Sequence, residues 1–207
     1  MRTLAIDCAT EACSVALFDG DALLAHDHRV LGRGHAERLV PMFADLPGKG
    51  HAERILVSRG PGSFTGVRIG IATARALGVA WSAEVFGYPT LALVAAIARA
   101  QAGPQPVSVA MAGGHGEWFF QTFDAEGMPA LPPQSLKPAA AIANAEELVA
   151  GTRATELVEQ RGSGNASPLH PDARFALALP PESITADVSA IYGRPPDAKP
   201  ANAKPAT

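Results

Sequence analysis

Residues 58–70, SRGPGSFTGVRIG, hold the densest chemical signal in the chain. A short apolar run precedes them and a helical pattern follows, so a glycine loop joins a strand to a helix. Such a loop binds phosphate when the free N–H groups of the helix start face the anion. Two templates test that reading. A Walker loop needs Gly-Lys-Ser/Thr before the helix, and no lysine is present. A dinucleotide fingerprint needs G-x-G-x-x-G, whereas Gly60, Gly62 and Gly66 give G-x-G-x-x-x-G, one residue too long. The other reading is a tight turn capped by Ser63 or Thr65.

The helix after the loop carries Gly66, Gly70, Ala74 and Gly78, four residues apart and therefore on one stripe. An interior glycine costs about 1 kcal/mol relative to alanine in a helix. Small residues at this spacing let another backbone come close. That backbone belongs either to the chain's own sheet or a neighbouring helix, or to another subunit. Arg68 and Arg75 lie seven apart on a shared face, solvated or turned to a partner.

Other chemistry is sparse. Asp7 closes the first strand, where a nucleotide-linked magnesium could sit, or it caps a turn. His26 and His28 share one side of a strand, but no carboxylate follows at ligand spacing. His35 opens a helix with Leu39 at i+4, so no H-x-x-x-H pair forms. Neither H-E-x-x-H nor G-x-S-x-G occurs. Cys8 and Cys13 match neither C-x-x-C nor a zinc ribbon and read as small apolar residues in a reduced compartment. Trp118, Phe119, Phe120 and Phe123 read as strand core rather than a base-stacking platform.

The elements that position these residues follow from hydrophobic spacing. Residues 3–7 and 13–18 are apolar runs, and Asp19-Gly20-Asp21 turns the second into a third strand over 22–29. Residues 35–46 have a helical period, with Pro41 expected to kink or shorten the helix. A strand over 55–58, a helix over 66–80, a strand over 84–87 and a helix from Pro89 to about Ala102 complete a β-β-β-α-β-α-β-α order. That order is an α/β sandwich with a mixed sheet. The second half is weaker: strands over 106–111 and 117–123, a short helix from Asn144 through Val149, a strand over 155–159 and a short helix over 174–179. The expected organisation is an N-terminal subdomain over 1–103, a smaller C-terminal subdomain over 104–193 and an unstructured tail over 194–207, rich in proline, alanine and lysine.

Composition bounds the rest. The chain has 207 residues, 47% of them hydrophobic and 18% charged, enough for a sizeable core. A formal charge of −3 lacks the bulk basic footprint of a protein that grips nucleic acid unaided. The first residues meet Asp7 too early for a signal peptide, and the longest uncharged apolar stretch, 85–98, is too short to span a membrane. The expectation is a cytoplasmic protein without membrane contact.

LAIDCATEACSVALFDGD, a helix opening at His35, GPGSFTGVRIG and VFGYPTL together resemble the bacterial TsaB (YeaZ) family, and IYGRPPDA resembles its short C-terminal motif. The likeness covers residues 1–100 best, and residues 61–66 are its most specific block. The resemblance implies the actin-like ATPase (ribonuclease H-like) fold, two related α/β halves with the C-terminal half reduced. It implies a subunit of the complex that makes threonylcarbamoyladenosine beside the anticodon of tRNAs decoding codons that begin with A. Setting Gly87 on the matching glycine of the catalytic paralogue, TsaD, puts Thr90 and Val94 where its two metal-binding histidines fall. Ala112 and Gly114 stand where family members often carry Asp and Arg, so no role for those side chains carries over.

The resemblance therefore implies a scaffold with no catalytic residue, metal or cofactor of its own, apart from Asp7 as a weak nucleotide candidate. ATP and a divalent metal would belong to partner subunits. The implied partners are a TsaD-type transferase in a heterodimer, a TsaE-type ATPase, and tRNA through the complex; a homodimer stays open. The family contact uses first-half helices, which here assigns the interface to Gly66, Arg68, Gly70, Ala74, Arg75, Gly78 and His35. Two alternatives share the fold: a small-molecule kinase or ATPase, which lacks its second phosphate loop here, and a metallopeptidase homologue, which lacks its histidines.

Overall fold

Two apolar runs at the chain start pair as an antiparallel hairpin, β1 (Arg2–Asp7) with β2 (Ala12–Asp19), in the register Arg2↔Asp19 to Asp7↔Ser14. The computed structural model that shows this describes residues 1–193. The Asp-Gly turn sends the chain into β3 (Ala22–Val30), antiparallel to β2. β4 (Arg54–Ser58) and β5 (Glu84–Tyr88) add in parallel on the other side of β1. The first sheet is thus ordered β3-β2-β1-β4-β5. Helix α1 (His35–Ala44) carries Pro41 within it and stops two residues short of the expected end. Helix α2 (Phe64–Trp81) bridges β4 and β5, and α3 (Thr90–Ala102) follows β5.

The second sheet repeats this plan with shorter strands. β6 (Val107–Ala112) runs antiparallel to β7 (Trp118–Phe123), as does β8 (Gln134–Leu136), and β9 (Leu148–Ala150) and β10 (Asn165–Ser167) run parallel to β6. The order β8-β7-β6-β9-β10 matches the first sheet strand for strand. Three of these strands have three residues each, which is how the second half is reduced. Of the four aromatics read as strand core, Trp118, Phe120 and Phe123 are buried in it, whereas Phe119 is only half-buried.

Two second-half expectations are corrected. The helix expected over 144–149 is instead α4 (Pro138–Ala143) followed by strand β9. Pro138 is pre-set for a first helical turn, and Leu148, Val149 and Ala150 are an apolar triad buried between β6 and β10. The strand expected over 155–159 is helix α5 (Ala154–Arg161), which buries Ala154 and Leu157 and ends at Gly162 in the left-handed region. β8 and β10 carry no periodic signal, since three residues cannot show one.

The main core lies between the sheets. Helix α3 is apolar all round, and Thr90 through Ala98 are buried between first-sheet residues such as Ala5 and Leu56 and second-sheet residues such as Val109 and Phe123. Residues 172–193 sit late in the chain but return to the first half. The Ala173 N–H donates to Ser14 Oγ at 2.9 Å, and Thr185 forms a bridge to Gly87 on the edge of β5. Among the described residues no helix is long and apolar enough to cross a membrane. The tail over 194–207 lies outside the described residues.

Candidate functional site

The β1–β2 loop, residues 8–11, and the β4–α2 loop, residues 59–63, pack on each other where the glycine signal fell. Ser63 N–H donates to the Ala9 carbonyl at 2.6 Å. A Cβ on Gly62 would overlap that carbonyl, and one on Gly66 would overlap the Cys8 carbonyl. The glycines therefore let the start of α2 rest on backbone, a close approach no side chain permits. Ser63 also caps α2, its Oγ accepting from the Gly66 N–H at 3.2 Å. Ser63, Gly66 and Val67 N–H groups are all engaged internally. The capped-turn reading accounts for these three N–H groups.

A cleft of about 480 Å³ opens between the halves. Thr10, Glu11, Ser63 and Phe64 line it from the first half, and Met111, Phe119 and Thr152 from the second. Among the described residues no lysine or arginine lines it; a polyphosphate would meet the Glu11 carboxylate and an exposed His115 instead. The residues present do not fit a metal-linked nucleoside triphosphate.

Asp7 does not line this cleft. It is buried, its Oδ1 accepts from the Ala9 N–H at 2.9 Å, and its Oδ2 accepts from the Tyr88 hydroxyl at 3.3 Å. The first contact is an Asx-type turn that closes the β1–β2 loop. Tyr88 also donates to the Ile6 carbonyl at 2.9 Å. Burial pushes the Asp7 carboxyl up to about 6, against the hydrogen bonds that stabilise its charge. Nearby, Ser58 and Thr90 share a 2.6 Å hydroxyl pair. The cysteines are also brought together: the next cross-strand pair beyond Asp7↔Ser14 is Cys8 and Cys13, both buried, with sulfurs 3.5 Å apart. Among the described residues no group of three or more His, Cys, Asp or Glu is placed to hold a metal ion.

The stripe on α2 faces inward. Gly66, Gly70, Ala74 and Gly78 are buried against the chain's own sheet, with Gly70 over Val57 and Cys8, and Gly78 over Val85. His35 is buried too, its Nε2 donating to the Ala12 carbonyl at 3.3 Å. The structure thus places these five interface candidates inside the chain, covered by its own backbone and core. Arg68 and Arg75 remain outside. Arg68 lies over the Phe64 ring and donates to the Tyr192 hydroxyl at 2.8 Å; Arg75 donates to the Val188 carbonyl at 3.4 Å.

Opposite the stripe, α2 exposes Ala72, Ala76, Val79 and Ala80 on the same side as Arg68 and Arg75, and α1 beside it exposes Ala36, Val40, Pro41 and Ala44 along with Glu37 and Arg38. Val79 is 85% exposed and Val40 52%. Sequence reading passed over this face. The same helical period that revealed the stripe also marks it, as the apolar residues half a turn away.

A family model described as TsaD: tRNA N6-adenosine threonylcarbamoyltransferase matches residues 29–175. The chain is 38% identical over 128 residues to the tRNA threonylcarbamoyladenosine biosynthesis protein TsaB of Escherichia coli, covering 59% of this chain and 55% of that protein. The chain belongs to this family, in its TsaB (YeaZ) group. A second TsaB relative, from Haemophilus influenzae, is 37% identical over 108 residues, 49% of this chain and 43% of that one. The chain thus spans about half the length of the curated TsaB relatives it matches. Among solved structures, YeaZ from Pseudomonas aeruginosa superposes with a TM-score of 0.77 at 28% identity, over 92% of this chain and 99% of that one. The ethanolamine utilization protein EutJ from Carboxydothermus hydrogenoformans, at 12% identity and TM-score 0.51 over 86% of this chain and 89% of that one, shares the fold alone. The TsaB group's fold, with its two matching sheets, is the actin-like ATPase fold expected from the sequence.

Proposed function

We propose that this chain is a non-catalytic subunit in the making of threonylcarbamoyladenosine on tRNA, acting by pairing with a TsaD-type transferase through the outer face of α1 and α2. The observation that carries the reading is that face: two adjacent helices present alanines and valines to solvent, with Val79 almost fully exposed. Exposed apolar patches of this kind mark protein contacts. The relatives' names, as threonylcarbamoyladenosine biosynthesis proteins, support the pathway.

The positions that would hold a metal in the paralogue support the scaffold role. Thr90 and Val94 are wholly buried on α3, and Thr90 is engaged with Ser58. ATP and a divalent metal then belong to the partner subunits, and a TsaE-type ATPase and tRNA join through the assembled complex. The kinase reading finds no support in the cleft, where no described residue offers a lysine or arginine to a polyphosphate.

The test is affinity capture from native lysate with mass-spectrometric identification. A TsaD-type protein recovered at near-equal stoichiometry supports the reading. A chain that emerges alone, or one that transfers threonylcarbamoyl to tRNA without partners, overturns it.

A further inference from the structure

An open sheet edge presents a row of backbone groups ready to pair with another strand. The two sheets have four edges, β3 and β5 in the first and β8 and β10 in the second. β8 and β10 have three residues each, short edges of the kind that recruit no partner. β5 is covered where Thr185 and Gly87 exchange backbone hydrogen bonds. β3 differs. It runs for nine residues, holds no proline, and pairs along one side with β2. Among the described residues no backbone group pairs with its other side.

Apolar side chains are exposed at both ends of β3, Leu23 at 44% and Leu24 at 42% near its start and Val30 at 61% at its close. Between them Asp27 and Arg29 share one side, with Arg29 Nη2 2.6 Å from Asp27 Oδ2. An antiparallel copy of β3 brings the Val30 end of one strand against the leucine end of the other. When the pair is centred on His28, Asp27 of each copy stands opposite Arg29 of the other, and two-fold symmetry makes the contact twice. Centring on Asp27 or on Arg29 instead sets like charges opposite each other, which is unfavourable. A carboxylate has lone pairs, and a guanidinium has N–H groups, for a second partner beside the one on its own strand.

We propose that this chain self-associates through β3, two copies pairing antiparallel about His28 so that their first sheets join into one. The edge lies in the plane of the sheet, whereas α2 lies over β4, three strands along from β3. A second copy on β3 therefore leaves Ala76 and Val79 to a different protein, and the two contacts are independent.

The test is sedimentation equilibrium of the full chain over a concentration series from about 1 to 100 μM. The parent is expected to follow a monomer–dimer equilibrium. Arg29→Asp and Asp27→Arg each set like charges across the two-fold, and each is expected to weaken dimerisation about tenfold or more. The double exchange Asp27→Arg/Arg29→Asp restores opposite charges and is expected to dimerise as the parent does. Val79→Asp is expected to leave self-association unchanged. Hydrogen exchange at the outward amides of β3 should slow as concentration rises. Thermal melting at low concentration confirms that each variant folds, since an exposed ion pair contributes little to stability. A parent that stays monomeric throughout overturns the proposal, as does a folded Arg29→Asp variant that dimerises like the parent or a double exchange no better than either single one. A dimer lost in Val79→Asp and kept in Arg29→Asp overturns it in favour of the outer face of α1 and α2.

Discussion

Gly66 of α2 rests against the carbonyl oxygen of Cys8 so closely that no Cβ fits, whereas Gly70, one turn on, has only side chains at 3.5 Å and beyond. Two glycines of one stripe therefore have opposite expectations. Gly66→Ala is expected to lower stability by about 1–3 kcal/mol or more, since backbone must move. Gly70→Ala is expected to raise it by up to about 1 kcal/mol through helix propensity. Thermal melting of the two variants decides; equal effects would mean α2 is not seated on the β1–β2 loop.

The outer face of α1 and α2 gives the matching expectation for assembly. Val79→Asp and Ala76→Asp place a charge on an apolar contact without touching the core. Partner affinity is expected to fall tenfold or more, since an unpaired interfacial charge costs roughly 2–5 kcal/mol. Melting should stay within about 0.5 kcal/mol of the parent. Unchanged co-purification would move the contact elsewhere.

Asp7 sets a pH dependence. Its folded value, about 6, lies above the ordinary 3.8. The folded state then holds its proton to higher pH than the unfolded chain does, so stability falls as pH rises from about 4 to 6. Above that range the buried charge costs roughly 3 kcal/mol. Asp7→Asn keeps the acceptor for the Ala9 N–H and removes the charge. Its stability should exceed the parent's at pH 7.5 and converge with it below pH 4 in denaturant titrations. A constant offset across pH would count against the buried carboxylate.

Residues 185–193 clasp the first half. Thr185 and Gly87 exchange backbone hydrogen bonds at 2.7 and 3.0 Å, Ile191 N–H donates to the Arg59 carbonyl at 2.7 Å, and Arg59 Nε donates to the Ser189 carbonyl at 2.8 Å. A chain ending at Ser183 is expected to lose on the order of 4 kcal/mol, about 1 per hydrogen bond. A chain ending at Gly193 keeps every one of these contacts, and its melting should match the full chain.

Cys8 and Cys13 are buried, and the Cys8 thiol is pushed well up by its hydrogen bond to Cys13 and by burial. Neither should react with a thiol-alkylating reagent until the chain unfolds. Stoichiometric native labelling, followed by mass spectrometry, would contradict the packing.

The local elements of the first half were legible because their signals are local. The alternating runs of β1 and β2, the Asp-Gly turn, and the start of α3 at Pro89 each depend on residues within a few positions. Two second-half elements, β9 and α5, were misread because a three-residue strand has no period and Leu148-Val149-Ala150 looks the same in either state. Only its neighbours β6 and β10 make it a strand.

The same division holds at the site. The sequence by itself fixed that Gly66, Gly70, Ala74 and Gly78 share a face, that Arg68 and Arg75 lie on another, and that the loop before them matches no phosphate template. Periodicity names a face but not what covers it. The tertiary structure decided that the Cys8 and Ala9 carbonyls cover the small residues. It also decided that Tyr192, more than a hundred positions along the chain, returns to hold Arg68. Helix geometry repeats every few residues and can be read locally; close packing pairs surfaces far apart in sequence, and only the folded chain brings them together.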